Sequence, residues 1–402
     1  MRPFKRLLSK EVAMGIIREN VRCIDRVEMV PLENAAWRVL AEDFAADFDV
    51  PSFNRSAMDG YAVRAEDTYG SSTFSPKRLK LIGELHAVDQ FDGEVGSGEC
   101  VQVATGSPVP KGSDSIVMVE YTNLNGDEVE VQSPVYPGAN ISSRGEDMKE
   151  GEIIIKEGEW LTPGKLGAIA AQGIESVKVY NKPNVAIVST GSEIRPISAK
   201  LKPGQIFDIN SYTLSAVVCA NGCIPKQLGI VSDDHTCIKK VLREAVVYDL
   251  VVFSGGSSVG SRDLLYDVVE EAGEVLFHGL QVKPGKPTLF AVVEEKPVFG
   301  MPGYPTSCLS NAVVFLLPAL RIMAGLPQHE PKQVKARMAA RVVSSSGRAQ
   351  FLTVRLEDGF AYPVFKKSGA ITSMARADGY IFLPINLDTI EEGEEVMVTL
   401  LG

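Results

Sequence analysis

Between residues 184 and 325 the chain alternates short apolar runs with amphipathic segments, and this alternation restricts the fold more than any other feature. The apolar runs NVAIVS, KQLGIVS, DLVVFS and KPVFGM each precede a polar or Gly-rich turn and then a segment with helical spacing. Apolar runs of this length between helices indicate strands that are buried on both faces. We therefore predict an α/β domain with a central parallel sheet at residues 177–326.

The segments on either side of this region have a different pattern. Residues 53–140 contain short alternating runs such as CVQVAT and SIVMVEY, which predict an inserted small β-rich domain. Residues 327–402 contain similar runs and predict a small C-terminal β-barrel domain. Residues 1–52 and 141–176 predict a helical and extended linking domain, whose two amphipathic helices are SKEVAMGIIREN and PLENAAWRVLAEDF.

The charge balance restricts the partners. The chain has 41 Lys and Arg against 51 Asp and Glu, a formal net charge of −10. Such a surface repels phosphate backbones, so we expect no nucleic-acid partner. No run approaches the roughly 18 continuous apolar residues that a membrane helix needs, and the N-terminus does not have the pattern of a signal peptide. We therefore expect a cytoplasmic protein without membrane association.

Ligands of open α/β sheets bind outside the carboxyl ends of the strands, and polar residues are concentrated there in this sequence. Glycine and serine at strand-to-helix turns suit an oxyanion, because the backbone can approach it and helix N–H groups point towards it. Ordinary turn chemistry also explains each segment taken alone. The predicted substrate-binding residues are Ser189, Thr190, Gly191, Gly255, Gly256, Ser257, Ser258, Lys283, Lys286, Pro302 and Pro305.

Three carboxylates are predicted at the same edge of the sheet: Glu193, Asp233 and Asp263. Singly, such residues are most often helix caps or turn formers. Together, beside an anion site, they would repel a phosphate unless a cation lay between them. Mg²⁺ binds one or two carboxylates together with substrate phosphates. We therefore predict that these three residues are catalytic and that they bind Mg²⁺.

Three more clusters lie outside the α/β region. They are SAMDGYAV with Asp59, ATGSPVPKG with Thr105, and SSRGEDMKEGE with Asp147. Each alone is compatible with a simple turn. None of the serines has the G-x-S-x-G context of a hydrolase nucleophile, and the chain has four histidines. Acid–base chemistry would therefore be carried out by carboxylates, lysines or metal-bound water.

Nine segments in order resemble the molybdopterin molybdenumtransferase family, which includes MoeA and the E domain of gephyrin. The segments are FNRSAMDGYAV, ATGSPVPKG, GANISSRGEDMKEG, AIVSTGSEI, GQIFDIN, LGIVSDD, SGGSSVGSRD, VKPGKP and MPGYPTS. They extend from about residue 50 to 310, and the flanking segments agree with the family's outline. Any one segment would be weak evidence, whereas nine in this order are specific.

The resemblance implies a homodimer with four domains per subunit and a site between the α/β domain of one subunit and the small β domain of the other. It implies that adenylylated molybdopterin and molybdate are substrates, that AMP is released, and that Mg²⁺ or another divalent ion assists. A molybdopterin adenylyltransferase is the expected upstream partner. By motif position the family's functional residues correspond to Asp59, Thr105, Asp147, Glu193, Asp233, Asp263, Lys283, Lys286, Pro302 and Pro305.

Four positions depart from the family pattern. Ser142 and Ser143 stand where many members have Arg, Gly279 where some have Lys, and Tyr304 where Asn is common. These departures leave open the phosphate contacts and the choice between molybdate and tungstate. Two other functions also stay open: adenylylation of molybdopterin by ATP, and a scaffold that binds peptides. The segments SAMDGYAV and RGED, and the domains outside the α/β region, favour molybdenum insertion.

Overall fold

The computed structural model describes residues 7–86, 91–255, 263–344, 347–365 and 369–401. Contacts divide the chain into two compact units. The large unit consists of Met1–Met29, Trp37–Ala41 and Lys178–Gly402, and the small unit of Val30–Ala36 and Glu42–Val177. The finer division into four domains stays a prediction.

The large unit contains a six-stranded sheet. Its strands are β1 (Asn184–Thr190), β2 (Ile224–Val231), β3 (Leu250–Ser254), β4 (Glu274–His278), β5 (Leu289–Val293) and β6 (Lys296–Met301). They lie in the order β2-β1-β3-β6-β5-β4. The four strands from β2 to β6 in this order are parallel, as predicted, whereas β5 is antiparallel to both β6 and β4. β4 therefore points in the same direction as the parallel strands.

Helices cover both faces of this sheet. They are α1 (Asn210–Ala220), α2 (His235–Ala245), α3 (Leu264–Ala272), α4 (Pro305–Asn311) and α5 (Leu317–Met323), with a π-helical turn at Ala312–Leu316 between the last two. Alternate strand residues enter two separate cores. Ile187 and Val252 pack with α1 and the N-terminal helix Lys10–Asn20, whereas Val188 packs with α2 and α3. Complete burial of one valine or isoleucine side chain stabilises the folded state by roughly 1.5–3 kcal/mol.

The start of α1 differs from the sequence prediction. The segment SYTLSAVVCANG predicts this helix with Asn210 or Ser211 as its cap, since both residue types favour that position, but Asp208 Oδ1 accepts the hydrogen bond from Ser211 N at 3.1 Å. The cap therefore lies two to three residues earlier in the chain. As a result the Asn210 side chain is available for a contact elsewhere.

The segment Pro305–Met323 is long and apolar enough, by length and composition, to cross a membrane. The sequence expectation concerned an unbroken apolar run, and polar residues such as Asn311 and Arg321 interrupt this segment. In the fold, 61% of its apolar window is buried inside the protein, and Ala312, Phe315 and Leu320 lie in the core with β1 and β3. This burial is typical of a core helix.

The predicted C-terminal barrel is confirmed. Five strands pair in a closed ring, Gln333–Met338, Ala349–Glu357, Phe360–Pro363, Gly379–Leu383 and Glu395–Leu400. The ring closes because the second and fourth of these strands also pair with each other. Val282–Lys283 adds to the barrel beside Ala349 and Gln350. Short elements complete it, the pair Val342–Val343 and Thr389–Ile390 and the helix Thr372–Ala375.

The small unit confirms the predicted β-rich insertion. Its sheet has the strand order Ser115–Met118, Gly60–Val63, Glu99–Val103, Lys77–Leu85, Glu128–Val131 and Thr122–Asn125. Two apolar cores form around it, one with Tyr61 and Val129 and the other with Ala62 and Ile116. Outside this sheet the unit contains the strand pairs Arg55–Ser56 with Ile141–Ser142 and Phe44–Ala45 with Ile153–Ile155, and the helix Pro163–Ala171.

The second predicted N-terminal helix, PLENAAWRVLAEDF, does not form. Only Leu32–Asn34 is helical, as one 3-10 turn. Trp37 then adopts a φ of 64°, a left-handed conformation that ends a helix. Val39 O accepts a hydrogen bond from Tyr180 N at 2.9 Å, and Ala41 N donates to Lys178 O at 2.9 Å. Residues 39–41 thus pair with the strand Ser176–Tyr180, and this pairing replaces the helix that the amphipathic pattern predicts.

Candidate functional site

The ends of β1 and β3 lie side by side at the carboxyl edge of the sheet. Ser189 pairs with Ser254, their Oγ atoms are 3.4 Å apart, and both residues are fully buried. Thr190 is 2% exposed, and its Oγ1 has no hydrogen-bond partner among the described residues. Gly255 follows β3 with a φ of +92°, and a Cβ there would lie 2.2 Å from Thr190 O. Only glycine suits this close approach.

The structure thus brings Ser189, Thr190 and Gly255 together, as predicted. Gly191 follows β1 with a φ of +155°, and a Cβ there would lie 2.9 Å from Glu193 Oε2. The other members of the predicted loop, Gly256, Ser257 and Ser258, lie outside the described residues.

Two of the predicted carboxylates, Glu193 and Asp263, are within electrostatic range of the third, Asp233. Partial loss of water around the side chain raises the pKa of Asp233, and the negative charges of Glu193 and Asp263 raise it further. The neighbouring Asp234, by contrast, caps α2: its Oδ1 accepts hydrogen bonds from Thr236 N and Cys237 N. Within the described part of the chain no three His, Cys, Asp or Glu side chains are arranged to hold a metal ion by themselves.

Asp263 has a different neighbour at each carboxylate oxygen. Oδ1 accepts a hydrogen bond from Tyr266 N at 3.1 Å and so caps α3. Oδ2 lies 3.0 Å from His278 Nε2, and the exposed fractions of the two side chains are 11% and 16%. His278 was not predicted as a site residue. Its position at the end of β4, on the edge where the parallel strands end, is the signal that could have found it.

The KPGKP segment lies against the helix that follows β6. Gly285 has a φ of +103°, and a Cβ there would lie 2.3 Å from Asn311 Nδ2. Asn311 Nδ2 donates to Gly285 O at 2.8 Å and to Thr288 Oγ1 at 2.6 Å, and the residue is 2% exposed. Lys283 and Lys286, on either side of this glycine, are half-buried. The amide of Asn311 therefore anchors the segment that carries both predicted lysines.

The MPGYP segment is also anchored by a side chain that the sequence did not identify. Asn210 Nδ2 donates to Gly303 O at 2.9 Å, and Asn210 is 5% exposed. Pro302 is buried, and Pro305 is the first residue of α4, where its missing N–H is not needed. Neither Asn210 nor Asn311 has a local signal for this role, because each contact joins residues that are far apart in the sequence.

In the small unit, Asp59 and Thr105 form a direct pair. Asp59 Oδ1 accepts a hydrogen bond from Thr105 N at 2.7 Å and from Thr105 Oγ1 at 2.9 Å. These bonds, the backbone one first, hold the pKa of Asp59 below its usual range. Both residues are exposed. An ionised carboxylate is therefore presented to solvent in a fixed orientation.

The three predicted clusters of the small unit meet around Ser56. Arg55–Ser56 pairs with Ile141–Ser142, while Ser56 N donates to Ser107 O at 2.9 Å and Gly106 N donates to Ser56 O at 2.8 Å. The chain segments of Asp59, Thr105 and Asp147 are thus neighbours.

Within the last of these clusters, Asp147 is exposed, and its backbone N donates to Val50 O at 3.0 Å. Glu146 Oε2 accepts hydrogen bonds from Ser142 Oγ at 2.9 Å and from Ser143 N at 3.0 Å. Of the two serines that depart from the family pattern, Ser142 therefore binds Glu146 through its side chain, and Ser143 does so through its backbone N–H.

The large unit thus combines a cluster of carboxylates with buried hydroxyls, tight glycine turns and two lysines at one sheet edge. Glycine turns and lysines suit an oxyanion or a phosphate, and carboxylates suit a hard cation. Such a site acts by positioning and by electrostatics.

Comparison with known proteins agrees with this arrangement. Three family models match: "MoeA N-terminal region (domain I and II)" at residues 8–173, "Probable molybdopterin binding domain" at 186–322, and "MoeA C-terminal region (domain IV)" at 335–401.

Individual relatives match over most of the chain. A molybdopterin molybdenumtransferase of Bacillus subtilis is 34% identical over 93% of this chain and 90% of its own. Two crystal structures of a molybdopterin biosynthesis MoeA protein from Pyrococcus horikoshii superpose with TM-scores of 0.85 and 0.80, at 40% and 35% identity. They cover 99% and 98% of this chain and 100% of their own. These matches extend from the N-terminal helix to the barrel, and the chain belongs to the MoeA family.

Proposed function

We propose that this protein transfers molybdenum from molybdate to adenylylated molybdopterin, releasing AMP and the molybdenum cofactor. The observation that carries the proposal is the cluster of Glu193, Asp233 and Asp263 beside the glycine turns of β1 and β3. Membership of the MoeA family supports it, since the Bacillus subtilis relative is named molybdopterin molybdenumtransferase.

The same cluster supports Mg²⁺ as a cofactor. Partial burial and, after it, the negative charges of Glu193 and Asp263 raise the pKa of Asp233, so a bound cation would relieve an unfavourable concentration of negative charge. One or two of the three carboxylates Glu193, Asp233 and Asp263 would hold the ion. Because the described carboxylates do not form a complete metal site by themselves, substrate oxygens would supply the other ligands. When bound, Mg²⁺ would neutralise phosphate charge and polarise the oxygens attached to it.

The remaining residues of the edge would bind the anionic groups. Lys283 and Lys286 would donate to phosphate or molybdate, and the backbone at Gly191 and Gly255 would approach them closely. Ser189 and Thr190 would line the same edge, and the Pro302–Pro305 turn would border it. Gly256, Ser257 and Ser258 are proposed for the same role from the sequence. No protein nucleophile is needed, because positioning and charge stabilisation are sufficient for such a transfer.

We propose in addition that the protein is a homodimer and that Asp59, Thr105 and Asp147 complete the site of the other subunit. The residues of these two groups lie in different compact units of one chain. The fixed, ionised carboxylate of Asp59 supports a role in contact with substrate. A cytoplasmic location and a molybdopterin adenylyltransferase as upstream partner belong to the same proposal.

Turnover with defined substrates tests the proposed function. Purified protein is supplied with adenylylated molybdopterin and molybdate, and AMP and molybdenum cofactor are measured, the latter by activation of a cofactor-free molybdoenzyme. A parallel reaction contains molybdopterin and ATP, and a third contains tungstate in place of molybdate. Turnover with only molybdopterin and ATP would instead indicate an adenylyltransferase. Turnover with neither pair would favour a scaffold.

A further inference from the structure

Asp263 and His278 form a pair in the large unit. The proposed reaction gives Asp263 a role, but it gives His278 none. Nε2 of His278 lies 3.0 Å from Oδ2 of Asp263, and the two side chains are 16% and 11% exposed. Exposed ion pairs contribute little, because water and salt screen them. This pair is largely removed from water, so water and salt screen it less than they screen an exposed pair.

The two oxygens of Asp263 depend on different partners. Oδ1 is held by Tyr266 N at 3.1 Å, at the first turn of α3. Oδ2 is buried, and among the described residues it accepts no hydrogen bond of regular geometry. A buried carboxylate oxygen is costly unless a donor compensates it. The imidazole nitrogen of His278 is the group placed to do this.

His278 is itself held in place. It is the last residue of β4 and pairs with Leu289 of β5. Its ring packs against the ring of Tyr266, with centroids 5.1 Å apart and planes at 34°. Tyr266 is also the residue whose backbone N–H binds Asp263. A helix start and a strand end therefore place one partner beside each oxygen of this carboxylate, Tyr266 N at Oδ1 and His278 Nε2 at Oδ2.

We propose that His278 is a positioning residue of the reaction, which holds Oδ2 of Asp263 so that this carboxylate faces the substrate in one orientation. The inference rests on the proposed function. His278 acts through Asp263 and touches no reacting atom. A ring that served only for packing could be replaced by phenylalanine without loss of activity, whereas a positioning ring needs its N–H donor.

Kinetics of two variants separate these roles. In His278→Phe the ring shape is kept and the donor is lost, so kcat falls on the order of tenfold while KM for adenylylated molybdopterin changes by less than about threefold. In His278→Gln a side-chain N–H donor is kept, and kcat stays within about threefold of the wild-type value. Equal rates for the Phe and Gln variants would overturn the proposal.

A double-mutant cycle tests whether His278 acts through Asp263. Asp263→Asn keeps the cap of α3, because Asn caps a helix about as well as Asp. If the histidine works only through the carboxylate, His278→Phe causes no further loss in the Asp263→Asn background. Losses that multiply would show that the two residues act independently, which contradicts the proposal.

A spectroscopic measurement gives a result that does not depend on turnover. With ¹⁵N-labelled histidine the chain has four imidazole groups, and His278→Gln identifies the signal of His278. Asp263→Asn shifts the Nε2 resonance of His278, whereas Asp234→Asn, at the cap of α2, leaves it unchanged. An unmoved resonance overturns the pairing even if the Phe variant does not fold. If Asp263→Asn shifts the resonance but the wild-type protein inserts no molybdenum, the pairing holds and the proposed function is contradicted instead.

Discussion

At the scale of single residues, the carboxylates of the candidate site are distinguished by their partners. Asp234 and Asp263 cap helices, and Asp59 is held by Thr105. Asp233 differs, because its charge is opposed by burial and by the negative charges of Glu193 and Asp263. A residue whose ionised form is opposed in the folded state lowers stability, and such residues are typical of functional sites.

Asp233→Asn is expected to raise the melting temperature near neutral pH while it lowers activity. The pKa of Asp233 in the folded protein lies above its ordinary value, so ionisation costs stability as pH rises through the carboxylate range. That cost is complete above the raised pKa and disappears below about pH 4, the ordinary value. The gain from the Asn variant therefore shrinks as pH falls towards about 4. The measurement is the melting temperature of wild type and Asp233→Asn, compared from about pH 4 to neutral pH.

Asp234→Asn is the matched control for this measurement. Hydrogen bonds from Cys237 N and Thr236 N lower the pKa of Asp234, so its charge favours the folded state. The Asn variant should not raise the melting temperature at any pH. A gain of equal size in both variants would show that the effect does not come from the carboxylate cluster.

Removal of divalent cations is expected to abolish turnover. The three clustered carboxylates would repel substrate phosphates unless a cation neutralised part of their charge. Turnover is measured in excess chelator and again after Mg²⁺ is restored. Undiminished activity in chelator would mean that Glu193, Asp233 and Asp263 have another role.

Thr105→Val tests the orientation of Asp59. The substitution removes the hydroxyl contact at 2.9 Å and keeps the backbone contact at 2.7 Å. We expect molybdenum insertion to slow by about tenfold, less than the roughly 10²–10³ that loss of a buried oxyanion donor costs. Thr105→Ser keeps the hydroxyl and should retain most of the rate. A wild-type rate for the Val variant would show that the backbone bond alone is sufficient.

At the scale of secondary-structure elements, two turns of the site are fixed by hydrogen bonds from asparagine side chains that lie on neighbouring helices. Asn210 at the start of α1 binds the turn after β6, and Asn311 at the end of α4 binds the KPGKP turn. Both amides are buried, and each donates a hydrogen bond to the carbonyl oxygen of a glycine in its turn, Gly303 for Asn210 and Gly285 for Asn311. The orientation of the lysines therefore depends on how the helices pack against the sheet.

Asn311→Ala is expected to loosen the KPGKP turn. It removes the amide donor from Gly285 O and Thr288 Oγ1, which keep their bond to each other, at a cost of about 0.5–1.5 kcal/mol per lost bond. The melting temperature should fall, and KM for the anionic substrate should rise as Lys283 and Lys286 lose their fixed positions. Asn20→Ala removes a similar amide, which binds Ile16 O within the N-terminal helix, and should leave KM unchanged. A rise in KM for both variants would contradict a local effect.

At the scale of the whole molecule, the candidate site residues are divided between the two compact units. Glu193, Asp233 and Asp263 lie in the large unit, and Asp59, Thr105 and Asp147 lie in the small unit. A site shared between subunits of a homodimer would use both groups at once. In such an assembly the distance in sequence between Asp59 and Glu193 is no obstacle.

Mixing two inactive variants tests this sharing. Asp59→Ala and Glu193→Ala subunits are each expected to be inactive as homodimers. After subunit exchange a mixed dimer contains one site with both mutations and one intact site. Activity should then recover to at most about half of the wild-type value per mixed dimer, because closed two-fold symmetry gives two equivalent sites. Exchange without any recovery would contradict the shared site.

Local patterns were sufficient to predict the α/β domain, the β-rich insertion and the barrel. Apolar runs that alternate with amphipathic helices identify a sheet covered on both faces, and glycine-rich turns identify the edge where Ser189 and Gly255 meet. These features follow from side-chain periodicity and turn stereochemistry, which act over a few residues.

Other features were decided only by tertiary structure. The segment after Pro31 has the spacing of a helix, yet Val39 and Ala41 pair with an extended segment about 140 residues later. Strand β5 lies antiparallel among parallel neighbours, and Asn210 and Asn311 bind the turns of the site from other parts of the chain. Their roles depend on which surfaces pack together. Packing is determined by the burial of whole elements, so no short stretch of sequence contains it.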